Sequence, residues 1–312
     1  MSLDKIILFF GRNYLAGSSL EEGYARVAEF HEHGRKSTFD IVGEDSHTVD
    51  EAEHILRTYE KIADDFYDTY RDEDVVSISL KPTGICAVQG HTFLPETPLN
   101  ERLAAFGEYA YKKGKRKVSL DMENSNYTDV TIEAVRYSWR RGIPIGLVLQ
   151  SRLNRTVQDI EIIFSEDYPL LPRKELRVRM VIGVYIEPED IATNDREIAK
   201  ERLVDRVRQL FDKGVYVEIA THDPDFIDTI IDNIIIPRNI PNDRFEFQFL
   251  LGVENGYMIE KKLMALGYTV RYYMPIELEK FASVPYMKRR LSNNPTFIRH
   301  GIKNVLQKIF GR

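Results

Sequence analysis

Eight strands alternating with helices and closing into a (β/α)8 barrel is the architecture this sequence predicts, on three observations. Short β-branched runs alternate with stretches of helical period along nearly the whole chain. No turn signal such as Asn-Gly joins neighbouring strands, so successive strands are expected to run parallel. Polar residues gather where those strands end, as a site at a barrel mouth requires. An open doubly wound sheet is the alternative arrangement. The sequence has no internal repeat, low-complexity tract or Gly/Ser linker, so residues 1–312 are expected to form one domain.

A helix near Leu20–His33 leads to a first strand, Lys36–Val42. From Ala52 onward Ile55, Leu56, Tyr59, Ile62, Ala63, Phe66 and Tyr67 keep a helical period. Strands follow at Val75–Leu80 and Lys117–Asp121, separated by a helix around Glu101–Lys113. Val130, Ala134, Val135 and Trp139 mark the next helix, and Ile143–Gln150 and Leu176–Val184 the next two strands. The last three strands are Val215–Ala220, Phe245–Leu250 and Tyr268–Met274, with helices around Ile198–Phe211, Asp225–Ile235 and Gly256–Leu266. Lys81, Asp121, Gln150, Tyr185, Thr221-His222, Gln248 and Tyr273 are expected at or near strand ends, all facing one mouth.

Composition narrows the function. With 43% hydrophobic residues the chain can bury a large core, and no apolar run approaches the roughly 20 residues of a membrane span. A net charge of -6, from 49 acidic and 43 basic side chains, argues against general nucleic-acid binding. Cys86 is the only cysteine, which excludes an internal disulfide and a cysteine-based metal cluster. Met1-Ser2-Leu3-Asp4-Lys5 is short and polar for a secretory signal, so a reducing, cytoplasmic setting is expected. The histidines are scattered, and His222 has no His, Cys or carboxylate at i+4, so no metal site is expected. Gly-x-Ser-x-Gly, Gly-x-Gly-x-x-Gly and the Walker loop are all missing. Near the C-terminus, Tyr286, Arg289 and Arg290 stand at i, i+3 and i+4, on one face of a helix. Two guanidinium forks there suit a carboxylate or a phosphate, although a solvated helix face has the same pattern. Cationic anchors and tyrosines with few acid–base groups point to chemistry carried by a cofactor.

The ordered motifs make a more specific pattern. They are Thr38–Glu44, Ser79-Leu80-Lys81, Leu120-Asp121-Met122-Glu123, Val148-Leu149-Gln150, Arg179–Glu187, Ala220-Thr221-His222-Asp223, Glu246–Gly252, Arg271–Pro275 and Tyr286–Leu291. In this set and order the sequence resembles the proline dehydrogenase family, from Ala16-Gly17 to Asn293. The resemblance implies a distorted (β/α)8 TIM-type barrel with a C-terminal helix over the mouth, FAD as cofactor, and oxidation of L-proline to Δ1-pyrroline-5-carboxylate. Hydride would pass from ring C5 to flavin N5, and the electrons on to a quinone. A pyrroline-5-carboxylate dehydrogenase is the implied partner downstream.

The resemblance also implies roles. Arg289, Arg290 and Lys81 would bind the substrate carboxylate; Tyr273, Tyr286 and Leu250 would wall the ring; Asp121 and Tyr185 would form the floor. Arg179, Gln150, Val181 and Gly183 would meet the flavin, Arg196 its phosphates, and Thr221 and His222 its adenosine half. Three positions depart from the family pattern. Asn293 stands where the family has Glu, Ile182 where it has Lys, and Asp223 where it has Asn. With Pro224 next, Asp223 also reads as a helix N-cap. A related imino acid such as hydroxyproline, or an impaired barrel that binds a small carboxylate, are the alternative functions.

Beyond the resemblance, Ile298, Ile302, Val305, Leu306, Ile309 and Phe310 recur at helical spacing among Arg299, Lys303, Lys308 and Arg312. Such a helix is expected to pack on the barrel; its alternative is a peripheral contact with the inner face of an anionic membrane.

Overall fold

The computed structural model describes residues 12–71, 74–279, 282–285 and 287–288. Eight parallel strands form a closed barrel: β1 (Lys36–Ile41), β2 (Val76–Leu80), β3 (Val118–Leu120), β4 (Gly146–Gln150), β5 (Arg177–Val181), β6 (Tyr216–Ala220), β7 (Phe245–Leu250) and β8 (Val270–Ile276). Closure is made where β8 lies beside β1, in register from Lys36↔Arg271 to Ile41↔Ile276. The barrel rather than the open sheet is therefore correct.

The helices form for local reasons and dock by their apolar stripes. α1 (Leu20–Glu32) is capped by Ser19, whose hydroxyl accepts from the Glu22 N–H at 3.3 Å. α2 (Val49–Tyr70) starts in a capping box of Thr48 and Glu51 and buries Ala52, Tyr59, Ile62, Ala63 and Phe66. The Tyr59 hydroxyl accepts from the Ile41 N–H at 3.0 Å, tying that helix to the end of β1. α3 (Leu99–Lys112) and α4 (Thr128–Arg140) follow β2 and β3. Trp139 of α4 is fully buried and donates its indole N–H to the Ile145 carbonyl at 2.7 Å, so its polar edge is satisfied inside the core. α5 (Thr156–Ser165), α6 (Arg196–Asp212), α7 (Pro224–Ile230) and α8 (Glu254–Ala265) complete the ring.

Four expectations are corrected. α5 lies between β4 and β5, where the pattern gave no helix, because its apolar residues Ile160, Ile162, Ile163 and Phe164 cluster instead of spacing out. A short hairpin, Val88–Gln89 with Thr92–Phe93, sits in the β2–α3 connection; its strands are too short to show alternation. α7 gives way to a π-helical turn over Ile231–Ile235. β5 ends at Val181, so Tyr185 belongs to the following loop and not to the strand end.

The barrel interior carries charge where such barrels ordinarily carry Val, Ile and Leu. Arg177 on β5 bonds Ser119 on β3 at 2.7 Å, and Arg179 bonds Ser79 on β2 at 3.2 Å. Those strands are not neighbours, so the bonds cross the interior. Glu218 on β6 accepts from Arg177 Nε at 3.0 Å, Arg179 Nε at 3.1 Å and Gln248 Nε2 at 2.8 Å. Lower down, Arg271 pairs with Glu246 at 2.6 Å and Asp74 at 3.1 Å. Each of these interior arginines is paired with a carboxylate, as burial demands.

Candidate active site at the barrel mouth

At the C-terminal ends of the strands lies a cavity of about 620 Å³. Lys81, Asp121, Tyr185, Leu250, Tyr273, Gln150, Arg179, Val181, Gly183, Arg196, Thr221 and His222 all line it. The closed barrel thus brings together every candidate residue that falls among the described ones. Tyr286, Arg289, Arg290 and Asn293, and the tail helix of residues 297–312, lie outside the described residues.

One wall is an ion-pair cluster. Lys81, directly after β2, places its ammonium on Asp40 of β1. Burial pushes the Asp40 carboxyl up to about 6, while Lys81 pulls it down and Asp121 pushes it up. Burial works against the Lys81 charge, but Asp40 and Asp121 outweigh it and raise its pKa. Asp121 accepts from the Ser79 hydroxyl at 2.7 Å and from Arg179 Nη1 at 2.9 Å on one oxygen, and from the Tyr273 hydroxyl on the other. Burial, then the charges of Asp121 and Asp40, hold the Tyr273 phenol protonated well above its ordinary range. The Arg179 guanidinium lies 5.5 Å from the centre of the Tyr273 ring, a cation–π distance. Among the described residues its buried Nη2 has no partner.

The opposite wall is built on the loops after β4, β5 and β6. Gln150 donates to the Glu123 carbonyl at 2.8 Å. Gly183 has φ +101, and a Cβ there would meet Gln150 Oε1 at 2.3 Å, so only glycine lets this loop lie against Gln150. Val181 closes β5, and Ile182, where the family pattern has a lysine, adds an apolar wall residue. Arg196 opens α6. His222 accepts the Leu250 N–H on Nε2 at 2.7 Å, which joins the ends of β6 and β7 and leaves the ring proton on Nδ1. Thr221 accepts from the Asp223 N–H at 3.3 Å. Asp223 caps α7 through the Asp225 N–H at 3.2 Å and pairs with Lys200 at 2.7 Å, so its negative charge is balanced. Leu250 packs with Tyr14, Val42 and Met287, which brings the chain after β8 back over the mouth.

Several residues in or behind the wall had no role in the sequence reading. Asp40 was hidden inside a strand, and an acid amid β-branched residues was the available signal. Glu123 is buried, accepts from Thr83 N at 3.0 Å and Thr83 Oγ1 at 2.7 Å, and is pushed by burial up to about 7. Arg152 and Lys200 also line the cavity, and neither was distinguishable from loop or helix-surface polarity. Cys86 is buried, its thiol pushed up to about 12 by burial, and it takes no part in the cavity. Among the described residues no helix is long and apolar enough to cross a membrane, and no cluster of His, Cys, Asp or Glu is placed to hold a metal.

The fold and the chain both have known counterparts. Proline utilization A from Bdellovibrio bacteriovorus, in a structure inactivated by N-propargylglycine, superposes with a TM-score of 0.80 at 21% identity, covering 93% of this chain and 33% of that one. Proline utilization A from Corynebacterium freiburgense gives 0.71 at 19% identity, over 96% and 33%. This chain thus spans about a third of the length of those two proteins. By sequence it is similar to proline dehydrogenase of Deinococcus radiodurans, 29% identical over 300 residues, 94% of this chain and 89% of the relative. It is also similar to proline dehydrogenase 1 of Bacillus subtilis strain 168, 26% identical over 297 residues, 95% and 91%. The proline dehydrogenase family profile matches residues 24–298, which include every strand of the barrel and every candidate residue of its mouth. With motif order, barrel and sequence match in agreement, the chain belongs to the proline dehydrogenase family.

Proposed function

We propose that the cavity binds FAD and L-proline, and that the protein oxidises proline to Δ1-pyrroline-5-carboxylate and passes the electrons to a quinone. The observation that carries this is convergence: twelve residues, singled out one by one from motifs spread between positions 81 and 273, line a single cavity. Its volume, about 620 Å³, falls within the roughly 300–1,000 Å³ of small-molecule sites. The unpartnered Arg179 Nη2, the Gly183 loop and the cations at 152, 196 and 200 fit a ligand with a polar ring system and a diphosphate. Bound there, FAD supplies the hydride acceptor.

In this reading the chain's residues bind and orient. Lys81 holds the substrate carboxylate, and because Asp40 already balances its charge, Arg289 and Arg290 supply the net positive charge. Tyr273, fixed by Asp121, and Leu250 wall the ring, and Tyr185 completes the floor. Arg179, fixed by Asp121 and Glu218, holds positive charge against the flavin ring. The substrate amine must be neutral for its lone pair to assist, so turnover rises with pH toward the amine's pKa in the complex. The enzyme works in the cytoplasm, with residues 297–312 reaching an anionic membrane only if vesicles retain the protein.

Anaerobic addition of L-proline to the yellow protein is the test. Bleaching by proline at low concentration supports the proposal. Bleaching by hydroxyproline alone transfers it to that substrate, and a colour that neither imino acid bleaches leaves a carboxylate-binding barrel.

A further inference from the structure

The cations of the cavity wall differ in how their charge is balanced. Lys81 has Asp40, Arg179 has Asp121 and Glu218, and Lys200 has Glu197 at 2.6 Å and Asp223 at 2.7 Å. Arg152 departs from this pattern. It is 4% exposed, and among the described residues no carboxylate lies within ion-pair distance of it. Its Nη1 donates to the Tyr185 carbonyl at 2.7 Å, and its buried Nε has no acceptor among the described residues. The carboxylate acting on it from farther off, Glu187, is taken up by Ser125 at 2.7 and 2.9 Å. Burial, then the neighbouring charge of Arg196, both disfavour its protonated form. A guanidinium nonetheless stays charged in proteins, so this corner keeps uncompensated positive charge.

Position decides which anion balances it. Arg152 follows β4 and lies beneath the loop after β5, its Cδ 3.3 Å from where a Cβ of Gly183 would stand. Lys81 directly follows β2 and Asp40 lies on β1, two and three strands away from β4 around the closed barrel. A substrate carboxylate held by Lys81 sits at a different strand end from Arg152, whereas a ligand extended along the cavity past the Gly183 loop reaches Arg152 as well.

We propose that Arg152 is a binding residue for the pyrophosphate of FAD, contributing the charge-assisted contact beside Arg196. This inference rests on the proposed binding of FAD in the cavity. The rival role is a prop that holds the 182–185 loop through the Tyr185 carbonyl, with no ligand contact.

Apoprotein titrated with FAD and, separately, with riboflavin distinguishes the two by flavin fluorescence. Arg152→Gln keeps a donor for the Tyr185 carbonyl and removes the charge, and Arg152→Lys keeps the charge. The expected result is an FAD Kd raised about tenfold to a hundredfold in Arg152→Gln, from loss of one charge-assisted bond. Riboflavin, which lacks the diphosphate, binds the variant as it binds the wild type, and Arg152→Lys recovers part of the FAD loss. Equal weakening of FAD and riboflavin, or an unchanged FAD Kd, overturns the assignment. If Arg152→Gln does not fold, Arg152→Lys decides, since a prop role gives it no preference between the two flavins. Wild-type apoprotein that binds neither flavin would instead sink the FAD reading itself.

Discussion

Lys81 and Asp40 form an ion pair almost wholly removed from water, the lysine side chain 11% and the aspartate 0% exposed. Asp40 lies on β1 and Lys81 directly follows β2, and the β1–β2 pairing of the barrel sets one against the other. Burial costs both charges their hydration, and each persists because the other is there. The ammonium of Lys81 meets one oxygen of the Asp40 carboxylate.

Asp40→Asn and Lys81→Met each leave one charge buried alone, which costs on the order of 3–5 kcal/mol. Removing both is expected to cost less than the sum of the two, because neither charge is then stranded. Urea denaturation of the two single variants and the double variant measures this coupling, and strictly additive losses would disprove it.

Glu123 makes stability pH-dependent. Its folded carboxyl titrates at about 7, above the ordinary 4.5, because of burial. The folded protein holds this proton after the unfolded chain has released it, so the contribution is fully present below pH 4.5 and is lost as pH rises to about 7. The total loss is about 3 kcal/mol. Glu123→Gln has no proton to lose, and the difference between it and the wild type, followed from pH 4 to 8, is expected to trace this curve. A pH-independent difference would rule it out.

Gly183→Ala is expected to weaken FAD binding without unfolding the barrel. The residue sits at φ +101 and the added carbon would meet Gln150 Oε1 at 2.3 Å, so the loop or Gln150 must move. Backbone strain of this kind costs about 1–3 kcal/mol. Flavin retained per mole of purified protein, beside a thermal melt, reports the two effects separately, and full retention would show that the loop is not a cofactor wall.

Asp223→Asn keeps an N-cap and removes the charge that neutralises Lys200. With Lys200 less compensated, FAD is expected to bind more tightly, by less than about tenfold given a partly exposed pair. Weaker FAD binding in this variant would mean that the Asp223–Lys200 pair positions the wall instead of masking charge.

The sequence by itself determined the barrel and most of the strand-end residues of its mouth. β-Branched runs and helical periods are local properties, so β7 was placed to the residue. Lys81, Asp121 and Thr221 were legible because they directly follow strands, at the barrel end where a mouth site is built. Where the pattern was short or uninterrupted it was silent, as in α5 and the Val88–Phe93 hairpin. Tyr185 was misassigned to a strand because Ile182-Gly183-Val184 continues the β-branched composition while the positive φ of Gly183 turns the chain away. Only the tertiary structure decided which charges meet: Lys81 with Asp40 across 41 residues, Arg179 with Asp121 across 58, and Arg152 with no carboxylate at ion-pair distance among the described residues. Ion pairing and desolvation depend on distances set when β8 closes against β1, and no local pattern encodes them.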